Sequence, residues 1–261
     1  MGGAIPRFVV AGTGGDSGKT LVSLGLAAAW RDKDLNVAPF KKGPDYIDAA
    51  WLSQAAGRPA RNLDSFLMGE EVVLHSFLRN AEDADVAIVE GNRGLFDGYG
   101  GASTAALART LDAPVLLVID VTKTTRTAAA FVAGCQVLDP DLRIEGVIAN
   151  RTGGPRHEGE VRRAIEEATG IPVLGCLPKL KGRNLLPDRH LGLVPPEEHD
   201  RMRSVVRRLG EIITEHVDVE TLLDGALSDR TRAAPAYSAA PPESPSPKSP
   251  DSRRGADVRV G

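Results

Sequence analysis

The chain has 261 residues, with 32 basic and 35 acidic side chains, so its formal net charge is −3. A near-neutral chain in which only 4% of residues are aromatic argues against a nonspecific nucleic-acid binder, which needs a basic surface and stacking platforms. Cys135 and Cys176 are too few for a disulfide framework, and we expect both to be buried core thiols. The sequence contains neither a secretory signal nor an apolar run near the ~20 residues that span a bilayer. We expect a cytoplasmic protein without a nucleic-acid or membrane partner.

Short apolar runs alternate with helical patterns along the chain. Strands are predicted over 7–11, 36–40, 86–89, 114–119, 144–149 and 171–175, with a weaker one over 191–194. Helices are predicted over 19–33, 71–80, 104–111, 124–138, 158–169 and 197–216. Most strand runs are continuously apolar, which is typical of strands that are covered on both faces. The pattern predicts an α/β fold with a mainly parallel sheet and helices on both faces.

The composition changes abruptly near residue 229. Residues 229–261 hold 6 of the 18 prolines and hardly any apolar side chain larger than alanine. Such a segment cannot bury enough apolar surface to offset its ordering entropy. We therefore expect one domain over 1–228 and a disordered, Pro/Ser-rich tail or linker over 229–261.

The first strand leads into the glycine-rich segment GTGGDSGKT, residues 12–20, which precedes a helix. Glycines allow backbone N–H groups to surround phosphate oxygens at a helix N-terminus, and this is the arrangement of a P-loop NTPase. The Lys19 ammonium would then reach the β- and γ-phosphates, and the Thr20 hydroxyl would bind Mg²⁺. The spacing is G-x₅-G-K-T instead of G-x₄-G-K-T, because position 13 is Thr. The alternative is a glycine-rich turn with a chance lysine.

Two acidic motifs follow later strands. In PFKKGPDYID, Asp45 and Asp48 come just after a Gly-Pro bend, where a parallel sheet places its active site, and Lys41 and Lys42 would neutralise an anionic substrate. The alternative is a solvated turn in which Asp48 caps the next helix.

In VEGNRGLFDG, Glu90 lies at the tip of an apolar strand, as expected for a Walker B acid that organises Mg²⁺, and Asp97 is a second candidate carboxylate. We expect this strand to lie beside the P-loop strand. The alternative is a surface loop after a buried strand.

With RNLDSF (residues 61–66), these motifs resemble the cobyrinic acid a,c-diamide synthase family, in its N-terminal ATP-binding synthetase domain. That family belongs to the dethiobiotin-synthetase-like group of P-loop amide-bond formers. The resemblance continues through GVIANR, LGCLPK and RHLGLVPP and covers about residues 5–215.

The resemblance implies that ATP phosphorylates the a- and c-acetate carboxylates of a tetrapyrrole, and that ammonia then displaces phosphate to give amides. Roles for individual residues follow from the matching motifs. Catalytic roles are implied for Lys19, Lys41, Asp48 and Asp97, and Mg²⁺ contacts for Thr20, Asp45 and Glu90. ATP contacts are implied for Gly14, Gly15, Asp16, Ser17, Gly18, Lys19, Thr20, Asn150 and Pro178, with Asn150 as an adenine reader or, alternatively, a strand-end residue. Substrate contacts are implied for Lys42, Tyr46 and Arg93.

The chain departs from the family in two ways. Asn92 and Arg93 resemble the form found in relatives linked to sirohaem or nickel-sirohydrochlorin, which leaves the macrocycle open. The glutaminase domain of the family is expected to be absent, so that ammonia comes from solution or from a separate glutaminase subunit. Whether the chain forms a homodimer also stays open. A ParA/MinD-like regulatory ATPase is the alternative from another class, although Thr13 replaces the early lysine of that group. Dethiobiotin synthetase, an enzyme with the same fold, is the third candidate function.

Overall fold

A computed structural model describes residues 5–180, 188–189, 192–193, 196 and 201–228. Within these residues, one sheet contains β1 (Arg7–Gly12), β2 (Val37–Lys42), β3 (Arg61–Leu63), β4 (Val86–Glu90), β5 (Val115–Asp120), β6 (Ile144–Thr152) and β7 (Val173–Pro178). The strands are all parallel and lie in the order β3-β2-β4-β1-β5-β6-β7. A separate antiparallel pair joins β8 (Asp188–Arg189) to β9 (Gly192–Leu193). The predicted parallel sheet is confirmed.

Helices cover both faces of this sheet. They are α1 (Lys19–Arg31), α2 (Tyr46–Ala56), α3 (Ser65–Met68), α4 (Glu70–Ala81), α5 (Thr104–Thr110), α6 (Arg126–Leu138), α7 (Pro155–Thr169), α8 (Met202–His216) and α9 (Val219–Ser228). One apolar core contains buried residues of α1, α2, α8 and α9, and the other contains buried residues of α4, α5, α6 and α7. Alternate residues of β1 enter different cores, since Phe8 lies in the first and Val9 in the second. This is the packing that a strand buried on both faces requires.

The sheet order brings the predicted functional loops to one edge. β1 lies between β4 and β5, so the loop after β1 is central. In the register of the strands, Val10 of β1 and Lys41 of β2 both lie opposite Glu90 of β4. The predicted proximity of the Glu90 strand and the P-loop strand is therefore confirmed.

Several predicted bounds differ from the structure. The strand predicted over 144–149 continues to Thr152. The strand predicted over 171–175 is β7, which begins at Val173 and ends at Pro178. Asn150 and Pro178 consequently lie within strands instead of after them. The strand predicted over 191–194 is only the short β9, and residues 191, 194 and 197–200 lie outside the described part, as does the tail over 229–261.

The patterns did not predict α2, β3, α3 or α9. In α2, Ala49, Trp51 and Leu52 are buried on one face, but Ile47 and Ala50 lie outside that face, so the sequence has no single apolar stripe. Its end signals are nevertheless present, because Asp45 caps the N-terminus and Gly57 ends the helix with a φ of 69°. β3 and α3 have only three and four residues, which is too short for a periodic pattern.

Two further expectations concern the chain as a whole. Cys135 and Cys176 are buried and unpaired, as predicted, and burial raises the pKa of both thiols. Among the described residues, no helix has both the length and the apolar character that crossing a membrane requires.

The packing of α1 against α8 yields a prediction about stability. A Cβ atom added at Gly25 of α1 would lie 2.2 Å from Ile213 Cγ1 and 2.8 Å from the Leu209 carbonyl oxygen of α8. Gly25→Ala should therefore lower the free energy of unfolding by about 2 kcal/mol through overpacking. Gly134→Ala is the matched control, because a Cβ there meets nothing within 4 Å and should stabilise α6 by about 0.5–1 kcal/mol. Urea unfolding measures both, and equal midpoints would contradict this account of the α1–α8 contact.

Candidate functional site

The loop between β1 and α1, residues 13–18, has backbone geometry that suits an anion, and we call it the phosphate loop. The N-cap of α1 is Gly18, with a φ of 100°, and it makes no side-chain hydrogen bond to the first turn, where backbone N–H groups can bind an anion. The Lys19 ammonium folds back over the loop, with Nζ donating to the Gly14 carbonyl oxygen at 3.0 Å. Burial lowers the pKa of Lys19, and the Glu90 carboxylate partly opposes this shift. Gly14 and Gly15 border open space, and Asp16 is exposed.

Asn150 of β6 packs against this loop and is hydrogen-bonded to it. Its Nδ2 donates to the Ser17 carbonyl oxygen at 2.8 Å, and its Oδ1 accepts from the Arg151 backbone N–H at 2.9 Å. A Cβ atom at Gly18 would lie only 2.1 Å from Asn150 Nδ2. Asn150 is thus packed under the phosphate loop, a contact that the sequence did not predict.

A buried ion cluster joins the ends of β2 and β4 to α2. Lys41 Nζ donates to Glu90 Oε1 at 2.8 Å, to Asp48 Oδ2 at 2.6 Å and to the Gly91 carbonyl oxygen at 3.3 Å. Lys41 is 2% exposed and Glu90 is fully buried. The Thr20 hydroxyl donates to the same Glu90 Oε1 at 2.7 Å, which connects the cluster to α1. We call Lys41, Asp48 and Glu90 the ion cluster.

The charges in the ion cluster do not balance. Burial opposes the charged form of Lys41, but the carboxylates of Glu90 and Asp48 outweigh it and raise the pKa of Lys41. Burial and repulsion from Glu90 raise the pKa of Asp48 to about 6, although Lys41 pulls it down. Within the cluster two acids share one buried cation, and Lys19 at the start of α1 is a second cation that interacts with both acids.

The cluster fits a magnesium ion. Glu90 Oε2 is buried and has no hydrogen-bond partner among the described residues, while the Thr20 hydroxyl contacts the other oxygen of the same carboxylate. The described residues contain no group of three or more His, Cys, Asp or Glu side chains that would hold a metal alone. An ion at this position would therefore take part of its oxygen ligands from a nucleotide or water, which is usual for Mg²⁺.

Asp45 and Asp48 have different positions in α2. Asp45 Oδ1 accepts from the backbone N–H groups of Ile47 and Asp48, each at 3.0 Å, so Asp45 caps the helix. The alternative in which Asp48 is the cap is wrong, because its carboxylate instead binds Lys41. Asn62, which the sequence did not single out, supports the preceding bend by donating to the carbonyl oxygens of Gly43 and Asp45 at 2.7 and 2.9 Å.

A cleft of about 900 Å³ is lined by residues at and after the ends of β2, β3 and β4. Its lining includes Lys42 and Arg93, two carboxylates, Asp64 and Asp97, and three aromatic side chains, Phe66, Phe96 and Tyr99. One wall is tied to the end of β1, since the Leu95 backbone N–H donates to the Gly12 carbonyl oxygen at 2.7 Å. Asp97 Oδ2 accepts from the Gly94 backbone N–H at 2.9 Å and so holds this wall in shape.

The sheet order divides the predicted site residues into two groups. The ion cluster, Lys42, Arg93 and Asp97 lie on the β2–β4 side of the phosphate loop, whereas Asn150 and Pro178 lie on the β6–β7 side. Tyr46, at the start of α2, is 70% exposed and is not in the cleft lining. Phe66 and Tyr99 were not predicted as site residues. A signal was present in LDSF and DGYG, because Asp, Ser and Gly favour exposed turns, where large aromatic side chains are unusual.

The AAA domain family model matches residues 6–184. The chain belongs to the AAA domain family. It is 43% identical over 224 residues to the cobyrinate a,c-diamide synthase of Archaeoglobus fulgidus, covering 84% of this chain and 48% of the relative. It is 46% identical over 242 residues to the hydrogenobyrinate a,c-diamide synthase of Thermobifida fusca, covering 90% of this chain and 51% of the relative. The resemblance that the motifs predicted is confirmed, and the chain spans about half the length of these curated relatives.

The fold of this AAA domain is also similar to that of the septum site-determining protein MinD from Pyrococcus horikoshii, complexed with Mg-ADP. The two share 14% identity with a TM-score of 0.50, and the match covers 86% of this chain and 95% of that one. At this identity the likeness concerns the fold alone, and it confirms the predicted P-loop NTPase architecture.

The ion cluster of this AAA domain can be tested through stability. Lys41→Met leaves two buried carboxylates without their cation, so the free energy of unfolding at pH 7 should fall by about 3 kcal/mol. Lys42→Met, one residue further along β2 and partly exposed, should cost less than about 1 kcal/mol. Urea unfolding without nucleotide measures both variants.

The loss in Lys41→Met should also depend on pH. The pKa of Asp48 is about 6 even though Lys41 lowers it, so removal of the Lys41 charge should raise this pKa further. The folded variant then binds protons at a higher pH than the folded wild type, and acidification stabilises the variant more. The deficit of Lys41→Met should therefore shrink on acidification, and Asp48→Asn with Glu90→Gln should restore part of it. A deficit that is constant with pH would show that lost packing, not charge, is the cause.

The position of Asn150 leads to a third prediction. If Asn150 supports the phosphate loop of this AAA domain, Asn150→Ala should weaken the binding of ATP and of inorganic tripolyphosphate by the same factor, about tenfold for a lost buried hydrogen bond. Competition against a fluorescent ATP analogue measures both. Asn80→Ala is the matched control, since the Asn80 amide donates to Ser76 within α4. A loss confined to ATP would instead support the predicted adenine contact.

Proposed function

We propose that this chain is the ATP-using part of a tetrapyrrole amidase that converts the a- and c-acetate carboxylates of cobyrinate or hydrogenobyrinate into amides. The observation that carries the proposal is the contact between three sites: the phosphate loop, the ion cluster that Thr20 joins to it, and the cleft wall that Leu95 joins to β1. The names of the relatives support the substrate, because they specify cobyrinate and hydrogenobyrinate.

The chemistry requires two anions to meet. A carboxylate has no leaving group that ammonia can displace, so one of its oxygens first attacks the γ-phosphorus of ATP, and ADP departs. Ammonia then attacks the acyl carbon, a proton is lost, and phosphate leaves with the oxygen that belonged to the carboxylate. Phosphoryl transfer of this kind depends mainly on positioning and on neutralisation of charge.

The side chains divide this work. Lys19 and the N-terminus of α1 would hold the phosphates, and Lys42 and Arg93 would attract substrate carboxylates. Lys41 would keep Asp48 and Glu90 ionised and fixed, while Asp97 would hold the cleft wall. A magnesium ion, bound through Thr20 and Glu90 with Asp45 nearby, would supply charge neutralisation on the nucleotide.

The nitrogen donor is proposed to be ammonia. Neither cysteine in the described residues is suited to release it from glutamine, because Cys135 and Cys176 are both buried in the core. Supply from a separate glutaminase subunit, assembly as a homodimer and a cytoplasmic location remain proposals.

The alternatives have less support. The names of the relatives do not favour sirohaem or nickel-sirohydrochlorin as substrate. The likeness to MinD concerns the fold and gives no reason to propose a regulatory ATPase. Dethiobiotin synthetase is not favoured either, because that function does not explain the EGNRGLFDG motif.

The proposal predicts ATP turnover that depends on the pigment. With Mg²⁺, ATP and ammonium, ADP release should rise sharply when cobyrinic or hydrogenobyrinic acid is added, and mass spectrometry should detect one and then two amides. Lys19→Ala and Glu90→Gln should abolish both signals with the fold retained. Lys33→Ala is the matched control, because its ion pair with Glu220 lies on the surface. ATP turnover that no tetrapyrrole changes would refute the amidase.

A further inference from the structure

Two exposed aromatic side chains line the cleft and contact each other. In the part of the chain that the structure describes, the exposed ones are Tyr46, Phe66, Tyr99 and Phe131. Phe66 is 58% exposed and Tyr99 is 80% exposed, and both line the cleft. Their ring centroids are 5.4 Å apart, with the ring planes at 83°. Large aromatic surfaces that face a concave site are a usual feature of ligand pockets.

The backbone holds both rings in place. The Asp64 carboxylate caps the single turn of α3, accepting from the Phe66 N–H at 2.9 Å. After Tyr99, Gly100 and Gly101 have φ values of 58° and 82°, and the Ala102 N–H donates to the Tyr99 carbonyl oxygen at 3.0 Å. This turn passes over Phe66, since a Cβ at Gly100 would lie 3.7 Å from its Cδ2 atom. The perpendicular arrangement is therefore built by α3 and by a separate turn after Tyr99.

Two cations lie beside the rings and can pair with the peripheral carboxylates of a ligand. Lys42 and Arg93 line the same cleft, and so do Asp64 and Asp97. Each of these acids already accepts a backbone N–H, from Phe66 and from Gly94 respectively. These hydrogen bonds hold the two acids against the loops that shape the cleft, and Asp64 also interacts with Lys42. Lys42 and Arg93 remain the groups that can pair with ligand carboxylates.

We infer that Phe66 and Tyr99, which we call the aromatic corner, hold the edge of the tetrapyrrole macrocycle and select which carboxylate reaches the phosphate loop. This inference rests on the proposed function. A flat macrocycle that stacks on one ring meets the other ring nearly at a right angle, so the corner limits both sliding and rotation. Amidation of two acetates in order needs such a restraint, because several similar carboxylates surround the macrocycle.

Equilibrium dialysis of cobyrinic acid against the purified chain tests the corner without ATP. The double variant Phe66→Ala with Tyr99→Ala should raise the Kd about tenfold, which is the size expected from lost aromatic stacking. Tyr99→Phe keeps the ring and should bind as the wild type does. Phe131→Ala removes an equally exposed ring, at 54%, from α6 outside the cleft and should also bind normally.

Turnover with ATP and ammonium separates positioning from a structural role. The double variant should raise the KM for the pigment, leave the KM for ATP unchanged, and broaden the set of monoamide products. Pigment binding and products equal to wild type, in a variant of unchanged thermal midpoint, would overturn the corner while leaving the amidase intact. A changed oligomeric state with unchanged pigment affinity would overturn it too, because the rings would then form a subunit contact. Wild-type protein that neither binds nor amidates the pigment would refute the proposed function itself.

Discussion

The buried Lys41 ammonium is the interaction on which the rest of the site depends. It joins the ends of β2 and β4 to the first turn of α2 by binding Glu90 and Asp48. A buried charge is tolerated only when it is paired and hydrogen-bonded. Here two carboxylates share one cation, and one oxygen of Glu90 has no partner among the described residues. The remaining negative charge lies beside the phosphate loop, where a magnesium ion that arrives with ATP would neutralise it.

The order of the strands turns this cluster into a place where two anions can meet. β1 is central, so the phosphate loop has the ion cluster and the cleft on one side and Asn150 on the other. The cleft wall that begins after Glu90 is hydrogen-bonded to the end of β1. A nucleotide and a carboxylate substrate would therefore approach each other across one short loop.

Much of this architecture could be predicted from residues alone. The apolar strands are nearly unbroken, and the phosphate loop and Glu90 follow them directly, so the fold and the center of the site were accessible. α2 was missed because its apolar residues surround the helix, and the capping role of Asp45 was not predicted, since only the alternative interpretation had a cap there and it named Asp48. The exact position of Asn150 depends on pairing between β6 and its neighbours. The Phe66–Tyr99 contact depends on α3 and a turn that are distant in sequence. Neither leaves a periodic signal in the chain.

The central claim is that a carboxylate of the tetrapyrrole is phosphorylated on this chain. The most direct measurement uses cobyrinic acid whose carboxylates carry ¹⁸O, incubated with the protein, Mg²⁺, ATP and ammonium in ordinary water. Because phosphate would leave with the carboxylate oxygen, mass spectrometry should find one ¹⁸O atom in the released phosphate for every amide formed. Released phosphate without ¹⁸O would mean that ATP is cleaved by water, and it would contradict the acyl-phosphate account.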